Sequence, residues 1–322
     1  MSYSHKAVIQ NFVNGGRDRK GGNIFSVGNV LYSYGYHFPL LVRTTDGKRI
    51  MNADKYSVST SNHQRLAIRT ADVSFPFSAF QGLCRQYKLF AHPYDNPEKF
   101  FNNMTIIDKT EPRIDIINYY IVNAMTEKKE YISIHEYTQL LPRDKEIYSR
   151  NEEGRPGATL FKLQEIPDTL FLASMDQNQF YIVELKDTTA QTVEEAFAQL
   201  KPQYLQDNPD IPYARQGEWF FIDITQYLHP DIPKLCWKQW NKQQALPNPN
   251  HGNDHIPTRS EIFSYLGRNP PSVLDGIPAD TPVVMGIVRH TQHRALKLEK
   301  DHIYIALRNT AVNSWSAQGS VD

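Results

Sequence analysis

The sequence has little cysteine, no excess of either charge and no long apolar run. Its 322 residues contain two cysteines, Cys84 and Cys236, which stand far apart. This usage argues against a disulfide scaffold, a zinc ribbon or a redox pair, and it indicates reduced thiols. Lysine plus arginine and aspartate plus glutamate number 35 each, so no overall positive field attracts nucleic acid. Binding to DNA or RNA would therefore need a local basic patch.

Membrane segments are not indicated either. The longest apolar run near the end of the chain, residues 283–288, is much too short to cross a bilayer, and the polar start precedes no apolar segment typical of a signal peptide. We therefore expect a soluble, cytoplasmic protein without a membrane partner. The content of 40% hydrophobic and 22% charged residues is typical of a globular chain, which at this length forms one large or two ordinary domains.

The order of strand and helix signals predicts an α+β fold, in which a β-rich N-terminal meander packs with a mixed α/β C-terminal part and the helices are short. Asp46 and Gly47 form a turn signal between two β-rich runs and indicate a hairpin in the meander. Residues 258–261 fit a capping box and predict a late helix that ends at Gly267. We divide the chain into a flexible basic arm at 1–22, a β-rich part with short helices at 23–150 and a mixed α+β part at 151–322.

A charged hairpin in the C-terminal part carries the sharpest chemical signal. Residues 170–175 and 180–185 are β-rich runs joined by a polar turn, which predicts two antiparallel strands. If Asp176 pairs with Phe180, side-chain alternation places three charged residues on one face of the sheet. These residues are Asp168, Glu184 and Lys186.

This set of side chains suits phosphodiester cleavage. Asp168 and Glu184 would bind Mg²⁺, and Lys186 would orient a water or stabilise charge on phosphorus. With Pro167, and with the order strand, strand, helix, strand that follows from a capped helix beginning after Thr192, the motif resembles the PD-(D/E)xK nuclease superfamily. The resemblance implies a metal-dependent nuclease. The alternative is an ordinary solvated sheet face, because exposed strands carry alternating polar residues by default.

A glycine-flanked basic segment lies near the N-terminus. Arg17, Arg19 and Lys20 are candidates for contacts with nucleic-acid phosphates. The alternative is a mobile, solvated segment, which is common near chain termini.

Three histidines near the C-terminus form a second candidate site. His290 and His293 lie between two strand-like runs, and His302 begins the next run. A turn between His290 and His293 would let them converge as metal ligands or as a general acid and base on a nucleotide phosphate. The pattern contains no cysteine and no His-Glu-x-x-His motif. Surface or hydrogen-bonding histidines are therefore the alternative.

His37 and His63 lie in polar stretches of the N-terminal part. Residues 61–64 also fit a capping box, which gives His63 a structural alternative. Arg43, residues 59–61 and residues 216–218 occur in the order of the arginine, Ser-Thr-Ser and Gln-x-Glu elements, and so resemble ADP-ribosyltransferases, although the gap between the last two elements is much longer than in that family.

Four blocks at both ends of the chain, residues 33–39, 56–64, 215–221 and 289–294, resemble a widespread set of uncharacterised proteins of bacteria and their phages. Each block places polar side chains among aromatic and β-branched residues, where unpaired polar groups are costly unless they bind each other or a ligand. We therefore include five polar residues of these blocks in a candidate site. They are His37, His63, Glu218, His290 and His293.

The leading functional hypothesis is Mg²⁺-dependent phosphodiester chemistry on nucleic acid at the charged hairpin. The first alternative is a non-enzymatic interaction protein of a phage or mobile element, which binds a host protein or assembles with itself. The second alternative is a histidine-centred enzyme that acts on a nucleotide.

Overall fold

The computed structural model describes residues 3–122, 128–145, 148–176, 179–234, 245–247, 255–262, 276–278, 280–291 and 293–316. The chain divides into two compact units. The first contains Met1–Thr105 and Lys109–Thr159, and the second contains Ile106–Asp108 and Leu160–Asp322. The main boundary therefore falls nine residues after the predicted one at 150.

The first unit is built on an antiparallel meander followed by one parallel strand. Its six-stranded sheet has the order β1-β2-β3-β4-β5-β6, and only the β5–β6 pair is parallel among the pairs described. The strands are β1 (Lys20–Gly21), β2 (Ile24–Val27), β3 (Val30–Ser33), β4 (Pro39–Arg43), β5 (Arg49–Asn52) and β6 (Val73–Phe75). The predicted hairpin at Gly47 is confirmed, because β4 pairs with β5 and Gly47 has a φ of 84°.

Short helices and a second sheet complete this unit. The helices are α1 (His5–Val13), α2 (Val58–Ala67), α3 (Phe80–Tyr87), α4 (Pro97–Asn102), α5 (Ile134–Gln139) and α6 (Pro142–Lys145), with 3₁₀ turns at Ile68–Thr70 and Phe77–Ala79. The three-stranded sheet has the order β10-β8-β9. Its strands are β8 (Arg113–Val122), β9 (Lys129–Ile132) and β10 (Ser149–Arg155). Strand β7 (Met104–Lys109) precedes them in the chain and pairs in a sheet of the second unit.

The prediction of a flexible arm at 1–22 is wrong for helix α1. Ser4 caps the helix by accepting a hydrogen bond from the Ala7 amide, and Val8, Ile9 and Phe12 lie in the core with at most 3% exposure. Their spacing of one, three and four residues forms an apolar stripe that the meander covers. The basic residues Arg17, Arg19 and Lys20 follow the helix and do not belong to it. Because the prediction was based on them, it missed the apolar stripe of the helix.

Two sheets and the helices α7 and α8 are described in the second unit. Its strands are β11 (Thr159–Leu163), β12 (Ile166–Asp176), β13 (Gln179–Glu184), β14 (Tyr213–Gln216), β15 (Trp219–Asp223), β16 (Ile256–Ile262), β17 (Pro282–Arg289), β18 (Leu296–Lys297), β19 (Tyr304–Arg308) and β20 (Ser314–Ser316). Its helices are α7 (Val193–Leu200) and α8 (Gln203–Asp207), with a 3₁₀ turn at Thr225–Tyr227.

One sheet of this unit has the order β20-β13-β12-β11-β7, and the other has the order β14-β15-β19-β17-β16 with β18 beside β17. The predicted α+β class is confirmed by these sheets and short helices. The helix predicted from the capping box at 258–261 is wrong, because these residues lie in β16, which pairs with β17. Across the described part of the chain, no helix is both long and apolar enough to cross a membrane.

Candidate metal centre

A tight hairpin between β14 and β15 presents two residues of the candidate site. Gln216 pairs with Trp219, so Gly217 and Glu218 form a two-residue turn. Gly217 has a φ of 58°, a conformation that glycine adopts readily at the first turn position. Because the flanking strands bury Gln216 and Trp219 to 1% and 4% exposure, the turn is held firmly at the end of the sheet.

The pairing of β16 with β17 brings two histidines together. Ile256 lies opposite Arg289, so His255, one residue before β16, lies opposite His290, one residue after β17. His293 follows three residues later in the connection to β18. Strand register therefore aligns three imidazoles that are separated by up to 38 positions in the sequence.

The three imidazoles form a close cluster. His255, His290 and His293 each offer a ligand atom, and these atoms all lie within 4.8 Å of one another. Their ring centres are 4.2, 5.6 and 4.7 Å apart. Histidines on a tetrahedral zinc ion, with Zn–N bonds of about 2.0–2.1 Å, have ring centres about 5 Å apart and nitrogens about 3.4 Å apart. The rings lie nearly parallel, with interplanar angles of 16°, 26° and 32°. Side-chain rotations would therefore be needed to bring all three nitrogens into bonding distance of one ion.

His255 is the most deeply buried member of this group, with 2% exposure. Its Nδ1 lies 3.5 Å from Oε1 of Glu218, whereas its buried Nε2 has no hydrogen-bond partner among the described residues. Burial, reinforced by His290 and His293, lowers the pKa of His255 to about 3. The imidazole is thus neutral at physiological pH, which is the protonation state that binds a metal. An unpartnered buried nitrogen is costly unless a ligand satisfies it.

Gly217 packs closely against two of the histidines. A Cβ atom on this residue would lie 2.9 Å from Nε2 of His293 and 3.1 Å from Nε2 of His255, closer than side-chain contacts normally are. The absence of a side chain therefore lets both nitrogens approach the turn. The positive φ and this close approach together explain why glycine occupies the turn.

The side chain of Gln216 attaches the histidine loop to the hairpin. Its Nε2 donates to the carbonyl of Arg294 at 2.7 Å and to that of Val288 at 3.4 Å. These two carbonyls bracket the segment that carries His290 and His293. Because Gln216 also precedes Gly217, one buried amide sets the position of the histidines relative to the turn.

A pocket opens beside the histidine cluster. Its cavity volume is about 40 Å³, and its wall includes Gly217, Glu218 and His293. Charged and polar groups at the wall are Asp176, Arg215, Asn309 and Ser314, and apolar ones are Phe180, Val183 and Leu200. The Arg215 guanidinium donates to the carbonyl of Gly217 at 2.9 Å and lies 4.0 Å from the Asp176 carboxylate. A cavity of this size holds a few water molecules, so a larger ligand would extend out of it.

Imidazole nitrogens determine which metal fits. Three neutral histidines suit Zn²⁺ and neighbouring transition metals, whereas Mg²⁺ prefers oxygen ligands. The three ligands that the described residues supply would be the number found in catalytic zinc sites, where water or substrate takes the fourth position. Glu218 beside Nδ1 of His255 matches the carboxylate that commonly orients a metal-bound histidine. The cluster thus gives no support to the predicted Mg²⁺.

The charged hairpin is present, but its predicted register is wrong by one residue. Asp176 pairs with Gln179 rather than Phe180, and Glu184 lies opposite Phe171. Because side chains alternate along a strand, this shift places Asp168 on the face opposite Glu184 and Lys186. Asp168 and Lys186 are exposed, and Glu184 accepts a hydrogen bond from Asn313 at 2.6 Å. The structure therefore does not bring the three predicted residues together on one face.

His302 does not join the other histidines. Its Nδ1 lies 2.6 Å from Oδ2 of Asp223, and this hydrogen bond raises the pKa of His302. Burial raises the pKa of Asp223, but hydrogen bonds from Thr225 and His302 outweigh that effect and lower it overall. His302 therefore forms an ion pair at the end of another strand and does not belong to the histidine cluster.

The remaining predicted histidines belong to the first unit. His63 is buried at 1% exposure, with Nδ1 hydrogen-bonded to Ser33 Oγ at 2.8 Å and Nε2 to His5 Nδ1 at 3.0 Å. Burial, with a smaller effect of His5, lowers its pKa. His37 is exposed, and its ring lies 5.5 Å from that of Tyr56. His63 therefore lies in the middle of a hydrogen-bond chain from Ser33 to His5, which is typical of a structural histidine.

The predicted nucleic-acid-binding residues Arg17, Arg19 and Lys20 are exposed in the first unit. Asn11 donates to the carbonyl of Arg17 at 2.7 Å, and the Arg19 guanidinium lies 4.6 Å from the centre of the Tyr3 ring. Lys20 of β1 pairs with Phe25 of β2. The segment is therefore held by local contacts.

The sequence prediction omitted His255, which completes the cluster. Its position relative to His290 follows only if residues 256–262 form a strand, and the capping-box signal favoured a helix there. If β16 had been interpreted as a strand from its alternating side chains, its pairing with β17 would have followed. Comparison of the chain with family models, with curated proteins and with solved structures gives no match.

Proposed function

We propose that the second unit binds a divalent transition metal, with Zn²⁺ as the first candidate, through His255, His290 and His293, and that it catalyses metal-dependent hydrolysis. The observation that carries this proposal is the convergence of three ligand atoms around the buried, unpartnered Nε2 of His255. Bound zinc acidifies a coordinated water and polarises a carbonyl or phosphoryl oxygen, which is the chemistry that hydrolysis requires.

The neighbouring pocket supports a catalytic rather than a purely structural metal. Structural zinc sites use four protein ligands, whereas the described residues of this cluster offer three, and the cluster lies at the wall of a pocket. Glu218 would orient His255, and Arg215 adds a fixed cation to the pocket. The combined positive charge of a divalent ion and Arg215 exceeds the negative charge of Asp176 and Glu218 at the same wall. An anionic substrate is therefore favoured, and a phosphodiester is the leading substrate class.

The test is hydrolysis of two chromogenic esters, bis(4-nitrophenyl) phosphate and 4-nitrophenyl acetate, by chelator-treated protein reloaded with Zn²⁺, Co²⁺, Mn²⁺ or Mg²⁺. We expect the phosphodiester to be hydrolysed with Zn²⁺ or Co²⁺ and the activity to fall at least 100-fold in His255→Ala. His229→Ala is the matched control, because His229 is an exposed histidine of the same unit that pairs with Asp231. Activity that survives both chelation and His255→Ala would refute the proposal.

A further inference from the structure

Helices α1 and α2 of the first unit enclose a groove with a basic rim. The groove is lined by Lys6, Ile9 and Gln10 of α1, and by Arg65, Leu66, Arg69 and Thr70 of α2 and the 3₁₀ turn that follows it. Lys6 and Gln10 are four residues apart, as are Arg65 and Arg69, so each pair lies on one helical face. Buried Ile9 and half-buried Leu66 form the floor, and the cations form the rim.

Three exposed cations, Lys6, Arg65 and Arg69, lie at the rim of this groove. Within the described part of the chain, none of their side chains makes a hydrogen bond, ion pair or ring contact. None of the described residues that line the groove carries a carboxylate. Other cations of the same unit are neutralised locally, since Lys48 pairs with Asp46 and Arg49 with Asp72. The groove is thus a local positive site on a chain whose net charge is zero.

We propose that this groove binds the phosphodiester backbone of nucleic acid. Cations distributed along two helix faces match a linear polyanion better than a single phosphate, which proteins usually hold with convergent backbone amides. No aromatic side chain lines the groove, so base stacking contributes nothing and the binding is independent of sequence. The inference is separate from the metal site, because its residues belong to the other unit.

The experiment measures fluorescence anisotropy of a labelled 20-nucleotide single strand with the full chain, over a series of salt concentrations. The logarithm of the binding constant falls linearly with the logarithm of salt, with a slope of about 0.7 per phosphate neutralised on a single strand. The triple variant Lys6→Ala/Arg65→Ala/Arg69→Ala should therefore bind more weakly by at least tenfold at low salt and lose about 2 units of slope.

The control removes the same charge elsewhere. Lys234→Ala/Lys297→Ala/Lys300→Ala changes three exposed lysines of the second unit and should keep the wild-type slope. A second comparison, Arg17→Ala/Arg19→Ala/Lys20→Ala, separates the groove from the basic segment predicted from the sequence. Equal losses in the groove and control variants, or binding to anionic phosphatidylserine vesicles without binding to the oligonucleotide, would overturn the proposal. Circular dichroism of each variant establishes that it is folded.

Discussion

His63 in the first unit and His255 in the second are both almost completely buried, at 1% and 2% exposure. Both have a lowered pKa, chiefly because of burial. They differ in their nitrogens. Both nitrogens of His63 are hydrogen-bonded, to Ser33 and His5, whereas Nε2 of His255 has no hydrogen-bond partner among the described residues. A ligand atom of His255 also lies within 4.8 Å of one on His290 and one on His293.

This difference separates a structural histidine from a ligand. A buried polar group that is fully hydrogen-bonded stabilises one arrangement of the core, and it has no remaining atom for a ligand. A buried nitrogen that shares a cavity with other lone pairs gains its stabilisation only when an ion binds. Burial and a lowered pKa are common to both histidines and do not distinguish the two cases. The hydrogen bonds of the two ring nitrogens distinguish them.

The largest expected effect is stabilisation of the protein by metal. Zinc at about 1,000 times its dissociation constant should raise the free energy of unfolding by about 4 kcal/mol, because it binds only the folded site. Differential scanning calorimetry with and without chelator checks this shift. His255→Ala should abolish it, whereas His63→Ala should retain it. Equal zinc stabilisation in wild type and His255→Ala would remove the proposed distinction.

Removing His63 should destabilise the first unit without affecting metal binding. His63→Leu leaves the buried hydroxyl of Ser33 without its partner, which costs about 1–3 kcal/mol. The double variant Ser33→Ala/His63→Leu removes both partners and should recover much of that loss. Urea unfolding monitors both variants. A double variant less stable than His63→Leu would show that the hydroxyl is not the source of the cost.

Gln216 should affect the metal affinity only through the position in which it holds the histidine loop. Gln216→Glu places a carboxylate against the carbonyls of Arg294 and Val288, and we expect affinity for Zn²⁺ to fall about 10–100-fold. Isothermal titration with a competing chelator measures the change. Gln203→Glu introduces the same charge at an exposed position of helix α8 and should leave the affinity unchanged. An unaltered affinity in Gln216→Glu would show that the loop does not depend on this amide.

The ion pair between His302 and Asp223 should contribute a smaller, pH-dependent stability. The raised pKa of His302 means that its contribution is fully present below pH 6.5 and is lost as pH rises through the folded-state value. The lowered pKa of Asp223 means that its contribution is present above pH 3.8 and is lost as pH falls through the folded-state value.

Both side chains are about a third exposed, which limits the effect to about 1 kcal/mol. Wild type should therefore exceed His302→Gln in stability by up to that amount at pH 6, and the difference should vanish near pH 9. Urea titrations at the two pH values measure it. A difference that grows with pH would contradict the assignment.

The smallest effect should come from the residue that the nuclease hypothesis depends on. Asp168 is exposed and lies on the sheet face opposite Glu184, so Asp168→Asn should change stability by less than about 0.5 kcal/mol. It should also leave zinc-dependent hydrolysis unchanged. A large loss of hydrolysis in this variant would favour the hairpin over the histidine cluster as the catalytic centre.

The sequence predicted strand positions better than strand register. The hairpin of β12 and β13 lies where its β-rich runs indicated, but Asp176 pairs one residue away from the predicted partner. Both registers close a short polar turn, and both strands are rich in apolar residues on either face, so alternation does not select between them. A shift of one residue was enough to separate the predicted metal ligands.

The candidate site was partly predictable. His290, His293 and Glu218 stand in polar blocks that the sequence marked, but His255 was hidden by the capping-box pattern at Thr258. In the structure the Thr258 hydroxyl donates to the carbonyl of Ile287 across the sheet instead of capping a helix. Pairing between distant segments outweighed a local signal, and the same pairing assembled the histidines.

X-ray absorption spectroscopy at the zinc edge, on chelator-treated protein reloaded with one equivalent of Zn²⁺, tests the central claim most directly. The account predicts three imidazole ligands with Zn–N distances of about 2.0–2.1 Å and a fourth light ligand. In His255→Ala the imidazole count should fall, or binding should be lost. A zinc ion coordinated by oxygen alone, or an identical spectrum in His255→Ala, would contradict the account.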